Sequence, residues 1–255
     1  MGALLMSSHF TAIGFPVRQM DEYRALAQRA AQAGQRLGAA RGRTIVRWAG
    51  GGGPEVWVQV AETGEAVVAT PFFATDDTYR IAITGTGVSD DDGFEGWIDG
   101  WLNPTEEAEP YSGAFPLRVD LVNFPLVQAA AKPGAVATVR LALILFEASL
   151  YPDAAAYLAV QSLSYRPPVP SFTSSLHFGL DDPDTDAEAT ALVTGFLNEA
   201  RELTNPATGA TFWWLRTAAN GVTLTLTAAR EMLPVDPLAG QVLSGSGWVL
   251  GELLA

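Results

Sequence analysis

Cysteine is absent from this chain of 255 residues, lysine occurs once, and histidine twice. Without cysteine there are no disulfides, thiolate nucleophiles or cysteine-ligated zinc sites. The single lysine, Lys132, precedes a Pro-Gly pair, which is the wrong setting for a phosphate-gripping or Schiff-base amine. Charge is also scarce, at 17% of residues against the roughly 25% of ordinary domains. What charge there is runs acidic: 28 Asp and Glu against 15 Lys and Arg, a net of −13. That sign argues against a nucleic-acid binder and against an anionic membrane surface. The longest apolar stretch, 135–151, carries Arg140 and Glu147 and is too short to span a bilayer. The N-terminus lacks the basic segment and long apolar run of a secretory leader. The expected location is the cytoplasm, with no membrane partner and no cofactor.

Apolar residues make up 48% of the chain, ample for a packed core. The pattern predicts an α+β protein, with a strand-rich N-terminal domain over 6–165 that has one main helix. A linker over 166–187 and a small β-barrel over 188–255 complete the expected order. Residues 9–17 read as a strand. Tyr23, Leu26, Ala27, Ala30 and Leu37 recur at helical spacing over 20–37, with Asp21 at its start. Alternation then predicts strands at 43–48, 55–60, 65–72 and 79–88, a polar irregular stretch at 89–113, and a strand at 115–122. The apolar run 136–148 fits either helix or strand, and its β-branched start after Pro133-Gly134 favours strand. A short helix is expected at 154–161. RPPVPS at 166–171 and DDPDTDAE at 181–188 mark the boundary. Beyond it, strands are expected at 189–202, 210–218, 222–228 and 241–250, with a helical turn at 229–233. Asn220-Gly221 is a hairpin signal. No fixed-period repeat is visible.

Two segments carry family likenesses. The long strand interrupted at Gly195, the TNPATG turn, the Asn220-Gly221 hairpin and a helical turn before Gly240 follow one another over 188–255. In that order of elements the segment resembles an OB-type barrel. The resemblance implies a binding face for single-stranded nucleic acid or oligosaccharide, on which Trp213, Trp214 and Arg216 would stand. Against this, alternating aromatics on a strand commonly fill a core, and the acidity of the chain disfavours nucleic acid. Residues 9–73 resemble a βαβββ unit of the vicinal oxygen chelate family, which implies a divalent metal held by His9 and Glu55. The second such unit that a complete site requires does not appear before Phe115.

Among the remaining candidates, GFEGWIDGWLNP sets Glu95 and Asp99 four apart beside Trp97 and Trp101. Paired carboxyls beside aromatic platforms suit glycoside hydrolysis; a helical turn with its tryptophans on the sheet is the plainer alternative. The acidic stretches at 90–95 and 182–186 miss the turn glycine or final glutamate of an EF-hand and read as solvated loops. Ser174, Ser175, His177 and Asp181 lie close in sequence but on no nucleophile-elbow motif. With no catalytic constellation assembled, the expectation is a non-enzymatic binding or assembly protein acting through protein–protein contacts or self-association. A hydrolase using Glu95 and Asp99, and single-strand or oligosaccharide binding on the C-terminal segment, are the alternatives.

Overall fold

The long helix begins where a carboxylate of its first turn reaches back to the amides just ahead of it. In the computed structural model, which describes residues 9–106, 109, 111–161, 167–176 and 188–254, Glu22 Oε2 accepts from the backbone N–H groups of Arg18 at 2.6 Å and Gln19 at 3.1 Å. Helix α1 runs Met20–Ala33 behind that cap. It stops at Gly34 rather than at 37, and Leu37 already belongs to strand β1 (Gln35–Ala40). The small buried Ala27 and Ala30 let α1 lie close on an antiparallel sheet of β1, β2 (Arg43–Ala49), β3 (Pro54–Ala61) and β4 (Ala66–Phe73), paired in that order. Tyr23 Oη accepts from the Ala69 N–H at 2.8 Å, and Gln28 bonds both the Ala66 N–H and the Gly64 carbonyl. These side chains engage the backbone of β4, an edge strand that would otherwise invite pairing.

The remaining strands form one continuous sheet. Strands β5 (Tyr79–Val88), β6 (Gly96–Leu102) and β7 (Pro116–Leu121) make an antiparallel meander, as do β10 (Thr190–Thr204), β11 (Thr211–Ala219) and β12 (Val222–Ala229). Two long strands, β8 (Val136–Tyr151) and β13 (Val242–Leu254), pair antiparallel from Val242–Tyr151 to Leu254–Thr138. Each meander closes a ring through that ribbon. β5 joins the start of β8 antiparallel, and β7 joins the end of β13 in parallel. β10 joins the start of β13 antiparallel, and β12 joins β8 in parallel. The chain thus contains the same strand arrangement twice, although no repeat is visible in its residues. Strand β9 (Ser171–Ser174) adds to β10. Short helices α2 (Phe124–Val127) and α3 (Ala154–Val160) follow β7 and β8, and a 3-10 turn (Arg230–Met232) follows β12.

Three expectations change. Residues 9–11 are helical and lead into a turn, so His9 does not open a strand. That segment is held instead by side chains of the β10–β11 turn. Asn205 Nδ2 donates to the Ile13 carbonyl at 2.9 Å, and Thr208 Oγ1 donates to Gly14 at 2.6 Å. The stretch 89–113 is not irregular throughout, because β6 lies within it and buries Gly96, Ile98, Gly100 and Leu102 on one face. Strands on the two sides of 166–187 also share a ring. β10–β13 close only through β8, so the strands of 188–254 do not complete a ring alone. Of the expected linker, residues 171–174 are β9, and most of the rest lies outside the described residues.

The middle of strand β8, residues 141–145, is buried on both faces. Val139, Leu141, Leu143 and Leu145 enter the core formed by the ring strands, while Ala142 and Ile144 enter a second core shared with α1 and the four-stranded sheet. We therefore expect Leu145→Ala and Ile144→Ala, on opposite faces, each to cost about 2–5 kcal/mol in urea unfolding. Exposed Ser149→Ala should cost less than about 0.5 kcal/mol. Insensitivity of either buried position would show that one face of the ribbon is open.

Candidate functional site

Where the outer wall of the β5–β7 ring faces the four-stranded sheet, the two layers leave a cavity of about 270 Å³. The sheet contributes Ile45, Trp57, Gln59 and residues 68–71 of β4. The ring side contributes Phe94 and Glu95 ahead of β6, Asp120 and Leu121 from β7, and Trp248 and Leu250 from β13. His9 and Phe10 of the N-terminal turn complete the wall. Alternation along the strands decides which side chains arrive here. On β6 the buried residues point to the ring core, which turns Trp97, Asp99 and Trp101 outward. Asp120 is paired opposite Trp97, and its other neighbour in the sheet is Leu250. Directly paired residues share a face, so Asp120 is presented outward with them.

The carboxyl groups here lie in apolar surroundings. Asp120 Oδ2 accepts from Trp248 Nε1 at 2.7 Å. Burial pushes the Asp120 carboxyl up to about 6, against the opposing pull of that hydrogen bond and of Arg118. Burial raises Glu95 as well, and the charges of Asp90 and Asp120 add to the rise. Among the described residues neither carboxyl is ion-paired. Arg43 goes to Asp92 and lies over the Phe94 ring at 4.1 Å, and Arg118 binds both oxygens of Asp99 at 2.7 and 2.8 Å. The His9 ring is 5.1 Å from Trp248 and 6.0 Å from Phe146, and its Nε2 is buried with no hydrogen-bond partner among the described residues. Burial pushes its pKa down to about 4, so the imidazole is neutral at pH 7.

The sequence candidates are distributed differently from the expectation. Glu95 reaches the cavity and Asp99 does not. Four residues of extended chain separate them by roughly 13 Å, beyond the spacing of a glycosidase pair, and Asp99 is already held by Arg118. Trp97 lies under the Arg118 guanidinium at 3.5 Å, and Trp101 meets Tyr111 edge-on. Neither tryptophan lines the cavity. On β11, Trp213 is buried in the ring core with Arg230 over its ring, while Trp214 packs on the opposite side against the second core. Arg216 is engaged by Asp77. Adjacent tryptophans on opposite faces make no continuous stacking platform.

His9 and Glu55 do not come together as metal ligands. Glu55 accepts from Trp57 Nε1 at 3.0 Å and lies 4.0 Å from Arg47, the first link in a chain of charges through Glu252 to Arg140. No group of three His, Asp or Glu suited to a metal occurs among the described residues. The acidic 90–95 loop is closed internally: Asp90 Oδ1 accepts from the Phe94 and Glu95 amides, and Arg41 donates to the carbonyls of Asp92 and Gly93. Ser174 and Ser175 bond to backbone groups, while His177, Asp181 and the 182–186 cluster lie outside the described residues. Asp120 was missed by the sequence reading. Its only sequence signal is the alternation of Arg118 and Asp120 with apolar neighbours on an otherwise apolar strand.

The chain matches no protein-family model, and no curated protein matches it in sequence.

The two buried ionisable groups act on stability in opposite directions. His9 is lowered from 6.5 to about 4, so its contribution is present above pH 6.5 and lost as pH falls towards 4. Asp120 is raised from 3.8 to about 6, so its contribution is present below pH 3.8 and lost as pH rises through 6. Relative to wild type, His9→Phe should gain unfolding free energy as pH falls from 6.5 to 4.5, and Asp120→Asn should lose it. Each change should be on the order of 1 kcal/mol per pH unit. Superimposable pH profiles for all three proteins would contradict the burial assigned to both groups.

Proposed function

We propose that this is a non-enzymatic binding protein whose ligand, a small and largely apolar molecule, occupies the cavity between the β5–β7 ring and the four-stranded sheet. The carrying observation is the wall itself. Aromatic and aliphatic side chains dominate it, and a few polar groups, Glu95, Asp120 and His9 among them, converge on one space. Sites that bury drug-sized molecules hold about 300–1,000 Å³, so this one suits something smaller. The arrangement favours binding over catalysis. A proton relay needs a second group to exchange a proton with the imidazole, and the buried His9 Nε2 meets none among the described residues.

A panel of small aromatic and aliphatic fragments, screened by protein NMR, should shift the indole signals of Trp57 and Trp248 preferentially. Thr70→Phe, which fills the space, should abolish those shifts, while Asp99→Asn should leave them unchanged. Hits that all map elsewhere would end this reading.

Self-association is the second reading. Phe196 is 37% exposed, Leu238 63% and Val235 66%. Hydrogen bonds of Leu197 to Gly240 and Gln241 hold the Leu238 turn against the Phe196 strand. Contact between copies through these residues predicts a concentration-dependent mass in light scattering that Leu238→Asp removes. A monomer at every concentration would dismiss it.

A further inference from the structure

We infer that the ligand of this cavity is a small primary amine, bound as its ammonium ion between the carboxylates of Glu95 and Asp120. The inference rests on the cavity being a binding site and adds the chemistry of what enters it. Both carboxyls line the same wall from adjoining elements. Glu95 precedes by two residues Trp97, the residue paired with Asp120 across the β6–β7 ladder. Glu95 lies one residue ahead of β6, and the Asp120 charge acts on it directly, so one small cation between them can serve both.

Two like charges facing an apolar space are costly unless something neutralises them. The two arginines whose charges reach these carboxyls are each paired with another group. Arg43 is held by Asp92 and Gln59, and Arg118 by Asp99. The nearest imidazole, His9, is neutral and adds no positive charge to the wall. Burial holds both carboxyls above their ordinary range, with the Asp120 charge adding to the rise at Glu95, and an ammonium would reverse that by favouring their ionised forms. The walls suit the rest of such a molecule. Trp57, Phe10 and Trp248 line the space that an aromatic or alkyl body would fill, and a cation near an indole gains further attraction. The net charge of −13 draws small cations to the protein and repels anions.

The test compares 2-phenylethylamine with its neutral counterpart 2-phenylethanol and with 3-phenylpropanoate, by isothermal titration at pH 7.5 on the wild-type protein. The amine should bind at least about tenfold more tightly than the alcohol, and the carboxylate should bind weakest. Glu95→Gln combined with Asp120→Asn should erase the preference while leaving alcohol affinity within about threefold. The asparagine still accepts from Trp248, so the wall is retained. An alcohol that binds as tightly as the amine would overturn the ammonium and leave the cavity reading standing. An amine preference that survives in the double variant would also overturn it, assigning the attraction to the overall charge. Failure of all three compounds to bind would remove both readings.

Discussion

The ladder between β8 and β13 is the constraint on which the rest of the structure depends. Each strand offers one edge to the other along nearly its whole length and divides its second edge between two meanders. Both rings are therefore closed by the same two strands. Faces as well as edges are occupied: one side of the ribbon fills the core of the rings, and the other receives the N-terminal turn and the four-stranded sheet. In the buried middle of β8, residues 141–145, every side chain is apolar. Beside that stretch Arg140 stands opposite Glu252, a charge pair set directly across the ladder. Arg47 extends that pair to Glu55, so a line of alternating charges runs from the ribbon into the sheet. Its partly buried members are retained because each has a partner; removing one would strand the next.

The cavity follows from how these layers meet. A twisted ring wall and a separate four-stranded sheet cannot stay in contact everywhere, and the gap opens where Trp57 and β4 face β7 and Trp248. The same alternation that packs Val119 and Leu121 inward sends Asp120 outward into that gap. A hydrogen bond from Trp248 then fixes the Asp120 carboxyl without neutralising it. The candidate site is thus a by-product of strand parity at the seam between two layers, with the ribbon holding both.

Much of this architecture was legible locally, and the reasons for the gaps are physical. Strands with one polar face, such as β2, β3 and β5, announced themselves by alternation. The Asn220-Gly221 turn did so by chemistry, and both residues have positive φ, 47° and 78°, as a type I′ hairpin requires. The run 136–148 was ambiguous because burial on both faces erases the period that distinguishes strand from helix. Strand β6 was read as irregular because two of its inward positions, Gly96 and Gly100, are glycines. They must be so, since a Cβ at Gly96 would fall 2.5 Å from the Phe124 ring and one at Gly100 2.6 Å from the Ala82 carbonyl. The site was half visible. Glu95 stands out within a cluster of acids, but Asp120, the other carboxyl of the cavity, is 25 positions away, and only the register that pairs Trp97 with Asp120 brings it near.

A ribbon shared in this way also bears on how the polypeptide acquires its shape as it leaves the ribosome. Until residues 242–254 emerge, β7, β8 and β10 each lack a neighbour that only β13 supplies. Nascent chains carrying everything before that point hold two open sheets with bare edges, the kind of surface that adheres to other chains or to holdase chaperones. Ring closure therefore waits for β13, whatever else of the sheet has already formed. A nascent chain whose β13 is still inside the exit tunnel has neither ring closed.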